Sequence, residues 1–431
     1  MTRWTRSQVE KLAPDARSLK AASALATPGP WSDTGASDVL VWGRCQGSGS
    51  LAYQVSVDIT GPAVKCSCPS RKFPCKHGLA LLLLWVQGDD VLEAAAEPPD
   101  YTQEWASRRA EKAKAVKTKS KPVDPEAQAQ RRERRMALMD DGVDEFQRWL
   151  EDLYRQGFAS ARHRGYEYWD SAAARLVDAQ LPALAARVRQ MPARFRGRDD
   201  WADVMLGETG HWFALIRGWQ RRKLLGDQEF AVIRSGVGWP LPIDDVKAGD
   251  TIEDEWIVEG LRRDNDGRVL SQRTWIHGVG CKQRFVILDF GAGSIAGVPQ
   301  TTGTKVHASI AVFPGLGLKR AVFVDDPKPS GALTTVVEPG TIADAFRSAA
   351  ELVALNPFHE RTPVSLRGRI SLSGLAGFVD ADQNHIEFTS DVDQWMLGAL
   401  TGPGTVDMFG ELEAGKFRPL TLGLATGVVA L

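Results

Sequence analysis

The chain predicts an α+β fold made of three successive parts: a small N-terminal ββα unit around a cysteine–histidine cluster, a helical middle region and a β-rich C-terminal region. Three observations predict it. Within the first sixty positions apolar and polar residues alternate, and a short stretch apolar on every side follows. Through the middle of the chain apolar residues recur every three to four positions, and beyond about Glu229 the period returns to two. With 431 residues, 43% hydrophobic and 25% charged, the chain is long enough for two or three separately cored domains. The boundaries fall at 1–98 for the cluster-bearing unit, 99–138 for a basic linker, 139–228 for the helical region and 229–431 for the β-rich domain.

Leu51-Ala-Tyr-Gln-Val-Ser-Val-Asp-Ile alternates as a half-buried strand does, and Asp38-Val-Leu-Val-Trp-Gly supplies a partner across the glycine-rich connection from Gly43 to Ser50. After His77, Gly-Leu-Ala-Leu-Leu-Leu-Leu-Trp-Val is apolar all round and predicts a short buried helix, with Leu82 and Trp85 in the core. Between Ser107 and Leu138 eleven Lys or Arg stand against four Asp or Glu, with Pro122 and Pro125 among them, which predicts a mobile or helical linker. Val143, Phe146, Leu150, Leu153 and Tyr154 share a helical face that Asp141 is placed to cap. A second helix through Leu176 and Val188 is interrupted or bent at Pro182, and Trp201 to Trp219 suggests further ones.

In the last region, Trp256–Arg263 and Arg268–Ile276 flank Asp264-Asn-Asp-Gly, a hairpin signal, and Arg284–Phe290 follows as a third strand. Further strands are expected at Lys305–Phe313, Ala321–Val324, Val364–Leu372 and Phe378–Asp382. One helix stands among them: Thr341 caps it, Asp344 occupies its third position, Ile342, Phe346 and Val353 face inward, and Pro357 stops it.

Composition excludes several classes. The first residues, Met1-Thr-Arg-Trp-Thr-Arg-Ser, have no apolar export signal, and the longest apolar run, Leu79 to Val86, is too short to span a bilayer, which takes about 20 residues. A soluble, cytoplasmic protein with no membrane partner is expected. Five cysteines, Cys45, Cys66, Cys68, Cys75 and Cys281, are too few and too unevenly spread for a disulfide framework. No P-loop, His-Glu-x-x-His or Gly-x-Ser-x-Gly motif is present, and Gly291, Gly293 and Gly297 read as a loop. His163, His211, His277, His307, His359 and His385 are scattered, each more simply structural than catalytic.

The cluster carries the chemistry. Cys66-x-Cys68, six residues, then Cys75-x-His77 places two thiols on one face of an extended strand, with Pro69 and Pro74 bracketing the return. Three thiolates and one imidazole make a complete tetrahedral shell of the structural zinc kind, with no position left for substrate. Thiolate-rich sites favour zinc or an iron–sulfur cluster, and the spacing matches no cluster run, so one structural Zn²⁺ is expected. Ordinary buried cysteines or a redox switch are the competing readings. Lys65, Arg71, Lys72 and Lys76 surround the cluster with no acidic residue between Gly61 and Gly88, which makes them candidate nucleic-acid contacts. Cys45 is an extra thiol, packed or exposed, and Cys281 a small apolar residue.

The run from Val64 to Trp85 resembles the SWIM zinc finger, whose pattern is Cys-x-Cys, a variable gap, then Cys-x-His; all four positions match, and Val41–Ser50 is similar to the same unit in bacterial SWIM proteins. The motif covers about a tenth of the chain. The resemblance implies a zinc-folded module that binds DNA or a protein, and it suggests MoxR-type AAA ATPases and von Willebrand A proteins as partners.

The expected function is therefore non-enzymatic: a zinc ion binding protein whose finger meets DNA or a protein partner. Lys112, Lys114, Lys117, Lys119 and Lys121, with Arg131, Arg132, Arg134 and Arg135, are spaced for phosphate contacts, although no aromatics interleave and a solvated linker is the simpler explanation. The alternative is an enzyme with its active site in the C-terminal region and the finger as a recruiting module. It requires two or more of Asp289, His307, His359 and His385 to converge in one pocket.

Overall fold

A computed structural model describes residues 4–431 apart from 11, 14–15, 48–51, 60–62, 71–73, 89–91, 95–96, 119–124, 240, 266–269, 292–299, 373 and 426. The N-terminal unit is α1 (Arg6–Glu10), α2 (Ala16–Ser23), β1 (Trp31–Ala36), β2 (Leu40–Cys45), β3 (Tyr53–Asp58), β4 (Ala63–Cys66), α3 (Lys76–Trp85) and β5 (Glu93–Ala94). The expected hairpin is there, β2 against β3 from Leu40↔Asp58 to Cys45↔Tyr53. It is the centre of a five-stranded sheet in the order β4-β3-β2-β1-β5, so the unit is larger than ββα. Helix α3 is buried from His77 to Trp85, because α1 and α2 cover the side that the sheet leaves free. Trp4 closes that side, its ring 6.0 Å from Trp85 in an edge-to-face pair.

Helix α4 (Asp100–Thr118) is tied back to this sheet by Ser56 with Thr102 and by Arg109 with Asp58. The lysines at 112, 114, 117, 119 and 121 lie outside the described side chains. Helix α5 (Pro125–Gln156) begins sixteen residues before Asp141, with proline in its first turn where no N–H is needed, so Asp141 lies inside the helix rather than capping it. Then come α6 (Phe158–Arg162), α7 (Tyr166–Asp178), α8 (Pro182–Phe195), α9 (Trp201–Gln220), α10 (Asp227–Val237) and α11 (Ile243–Lys247). Pro182 starts a new helix instead of bending one. The turn before it places Gln180 at φ 63° and lets α7 and α8 pack on each other. One core fills the bundle, with Trp169, Trp212 and Trp219 fully buried. The Trp219 indole donates to Asp140 at 2.7 Å, and Arg222 reaches the same carboxylate. The two-residue period expected from Glu229 is delayed, since α10 and α11 precede the first C-terminal strand.

The C-terminal region contains two six-stranded sheets. The first has β6 (Thr251–Asn265), β7 (Leu270–Gly278), β8 (Arg284–Gly291), β9 (Thr304–Val312), β10 (Lys319–Phe323) and β11 (Lys328–Ala332). Strands β6, β7 and β8 form the expected meander, of which the turn residues 266–269 lie outside the described part. Strand β10 pairs parallel with β8 and antiparallel with β9, while β9 pairs with β6, so five strands close into a ring with the connectivity of an OB-type barrel. Trp256, Ile276, Phe285 and Ile310 fill it.

The second sheet runs β14-β13-β12-β15-β16-β17: β12 (Arg361–Ser371), β13 (Gly377–Asp380), β14 (His385–Glu387), β15 (Val406–Glu413), β16 (Lys416–Leu424) and β17 (Gly427–Ala430). Helices α12 (Ile342–Leu355) and α13 (Gln394–Thr401) accompany it. Thr341 and Asp344 form the expected capping box. The inward stripe of α12 is Ile342, Ala345 and Ala349 instead, with Phe346 and Val353 exposed, because small residues let the helix lie close to the sheet. The barrel and this sheet are sealed together by Trp275, Val286, Phe409 and Leu420. Glu411, wholly buried there, accepts from Arg273 and from the Trp275 indole, both at 2.9 Å. The outer β7–β8 face of the barrel, where OB-type barrels bind oligomers, is therefore covered by the protein's own chain.

Candidate metal centre

Cys66 is the last residue of β4, held in register opposite Val55 of β3. The chain leaves the strand as a tight arch: the Ser67 N–H donates to the Gln54 carbonyl at 3.0 Å, and the Ser67 hydroxyl accepts from the Gln54 N–H at 2.9 Å. That clamp presents Cys66 and Cys68 to the same side. Cys75 arrives from the opposite direction as the N-cap of α3, its sulfur accepting the Gly78 N–H at 3.5 Å, and His77 follows in the first turn of the helix. The strand end and the helix start are pressed together because residue 78 is glycine. A Cβ there would stand 2.4 Å from Val64 Cγ1.

The four donor atoms lie within 4.8 Å of one another, and among the described residues this is the one cluster of three or more Cys, His, Asp or Glu with that property. Cys66 Sγ and His77 Nδ1 are 3.7 Å apart. A tetrahedral zinc with bonds of about 2.3 Å to sulfur and 2.0 Å to nitrogen sets that edge at about 3.5 Å, so the gap is compatible with a shared zinc ion. The donor set suggests the same metal. The contact with Cys75 and then burial push Cys66 up, and the reciprocal contact brings Cys75 down to about 4, a ready thiolate. Cys68 is pushed up by burial.

The surroundings of the cluster include residues that spacing alone does not reveal. The Tyr53 ring lies 4.9 Å from the His77 ring and fixes its plane. Helix α2 contributes Arg17 and Ala21, and the turn after it Leu25, to a groove of about 580 Å³ that runs past Cys68, Pro69 and His77. The strand alternation around Tyr53 was the only sequence signal for it, and nothing marked α2. Cys45 is buried in the apolar core nearby, outside the donor set, with its thiol pushed up by burial.

Of the four cations expected at the surface, Lys65 and Lys76 are exposed beside the cluster, while Arg71 and Lys72 lie outside the described residues. The four C-terminal candidates do not share a ligand cluster. His307 meets Glu253, His359 meets Thr362, His385 meets the Leu375 carbonyl, and Asp289 sits in the barrel wall near Arg320. Cys281 is half-buried next to Asp254, which accepts its N–H. Among the described residues no helix is long and apolar enough to cross a membrane.

Comparison with known proteins adds two matches. Residues 53–85 match the family model of the SWIM zinc finger, and residues 134–237 match that of the SWIM-associated four-helix bundle domain. No curated protein and no solved structure matches the chain.

Proposed function

We propose that this chain, a SWIM-type zinc finger protein, holds one structural zinc on Cys66, Cys68, Cys75 and His77 and uses the finger so formed to bind an anionic partner, nucleic acid first. The observation that carries the reading is the convergence of the four donor atoms within 4.8 Å, from a strand end and a helix start. With three thiolates and an imidazole on the metal no coordination position is open, so the ion acts in folding rather than in catalysis. A reducing compartment such as the cytoplasm suits three thiols kept free for metal.

The anionic partner follows from charge. Arg17 and Lys76 line the groove beside the cluster and none of its described lining residues is acidic, while Lys65 stands exposed on the adjoining strand. Three phosphate contacts would give a salt slope of about −2.7, so affinity for an oligonucleotide should fall about fortyfold between 50 and 200 mM salt. The test is the binding of a labelled single- or double-stranded oligonucleotide by the zinc-loaded chain, repeated with Lys65→Glu and Lys76→Glu. Retention that ignores both salt and these substitutions would reject a nucleic acid on this face. The partner would then be a protein, for which MoxR-type AAA ATPases and von Willebrand A proteins are the first to try.

A further inference from the structure

The helical bundle and the barrel meet across a cleft of about 350 Å³, within the size range of small-ligand sites. Arg187, Arg234, Lys319 and Arg320 contribute cations to its lining, in which no acidic residue stands among the described residues. Arg187 is already neutralised by Glu208 and Glu360. Arg320 is not: it lies 4.2 Å over the Phe313 ring, its Nε is buried without a hydrogen-bond partner, and it forms no ion pair among the described residues. Asp289 faces this charge from the barrel wall: burial pushes its carboxyl up, and the Arg320 guanidinium works against that shift.

A second group of cations adjoins the first. Trp239 forms part of the cleft wall, and the guanidinium carbons of Arg132, Arg135 and Arg234 stand 5.6, 5.5 and 4.5 Å from its ring centre. Arg132 and Arg135 are three residues apart on α5 and so share a face. Neither makes an ion pair among the described residues, and Arg135 Nε is buried without a hydrogen-bond partner. Burial and the neighbouring Arg132 and Arg135 push Arg234 down while Asp245 acts against them, so the place keeps an excess of positive charge that favours an anion.

We propose that this junction is a binding site for a small polyphosphate ligand, a nucleoside di- or triphosphate, whose phosphates lie among Arg320, Lys319 and Arg234 while its base lies on the apolar wall that includes Phe358 and Leu316. Size separates this ligand from a nucleic-acid strand, which could touch only the rim. Because the walls come from both the bundle and the β region, the bound ligand also ties the two together.

The test uses the zinc-loaded full chain with ATP, ADP, inorganic pyrophosphate and a short oligonucleotide as probes, by calorimetry and by thermal melting. ATP and ADP are expected to bind saturably and raise the melting temperature. Lys319→Glu, at an exposed position, and Arg320→Glu should each weaken binding tenfold or more, the worth of one charge-assisted contact of about 1.4 kcal/mol or above. Lys319→Glu keeps the test valid if Arg320→Glu fails to fold. Absence of saturable binding of ATP, ADP and pyrophosphate at millimolar concentration overturns the proposal, as does binding that the folded variants leave unchanged, or binding of the oligonucleotide alone. Cys75→Ser should leave ATP affinity intact, which keeps the failure of this site distinct from failure of the zinc reading.

Discussion

Replacing Cys75 by serine separates two tasks that its sulfur performs. That sulfur is one of four converging donors, and it also caps α3 by accepting the Gly78 N–H. Serine is among the best capping residues, whereas alanine forfeits about 1 kcal/mol of cap, so Cys75→Ser removes the thiolate and keeps the helix start. Structural zinc sites contribute about 10–16 kcal/mol of apparent binding free energy at neutral pH; divided over four donors, one accounts for about 3 kcal/mol, or roughly 150-fold in affinity. The assay is the zinc content per chain after dialysis against graded chelator, followed by limited proteolysis. Wild type should keep one equivalent where the serine variant has lost it, and on the proposed zinc reading the variant should become cleavable between residues 66 and 77. A serine variant that keeps a full equivalent at the chelator concentration that strips half of the wild type would refute the reasoning.

The other predictions concern packing and charge. Gly78→Ala drives its new methyl into Val64, costing about 1–3 kcal/mol, and should lower zinc retention; adding Val64→Ala should restore retention in the same chelator assay, and no restoration would mean the close approach is irrelevant to the site. Trp212→Ala, at a fully buried position, should cost about 3–5 kcal/mol and melt the bundle by circular dichroism at unchanged zinc content. Burial pushes Glu411 up, but the Arg273 guanidinium and the Trp275 N–H outweigh it and hold the carboxyl below its ordinary value. Its stabilisation is therefore complete above the unfolded value of about 4.3 and is lost as pH falls through the folded one. Glu411→Gln should cost about 3 kcal/mol at pH 7 by leaving Arg273 underpaired, and should flatten the acid limb of the stability profile; an unchanged limb assigns the acid sensitivity to another group.

Local chemistry is what could be read in advance. Cys66, Cys68, Cys75 and His77 were legible because metal ligation constrains residue type and short-range spacing together. The capping box of Thr341 and Asp344 was legible because it closes within one turn. The β2–β3 pair and the β6–β8 meander were legible because half-buried strands must alternate. Helix ends were harder, since the polar stretch before Asp141 continues the helix without adding to its apolar stripe. The inward face of α12 was misread for a related reason: large side chains were assumed to face the core, but the helix lies close to its sheet on alanines.

The sequence by itself determined the donor set, the order of helical and strand segments and the charge of the finger, all of which follow from side-chain chemistry and periodicity over a few residues. Only the tertiary structure decided that β10 returns beside β8 to close a barrel and that Phe409 and Leu420 seal the barrel's outer face. It alone decided that Arg132 and Arg135 of α5 come to rest on Trp239. Such pairings join residues tens to more than a hundred positions apart, and they are selected by which apolar surfaces bury one another, a choice that no local pattern encodes.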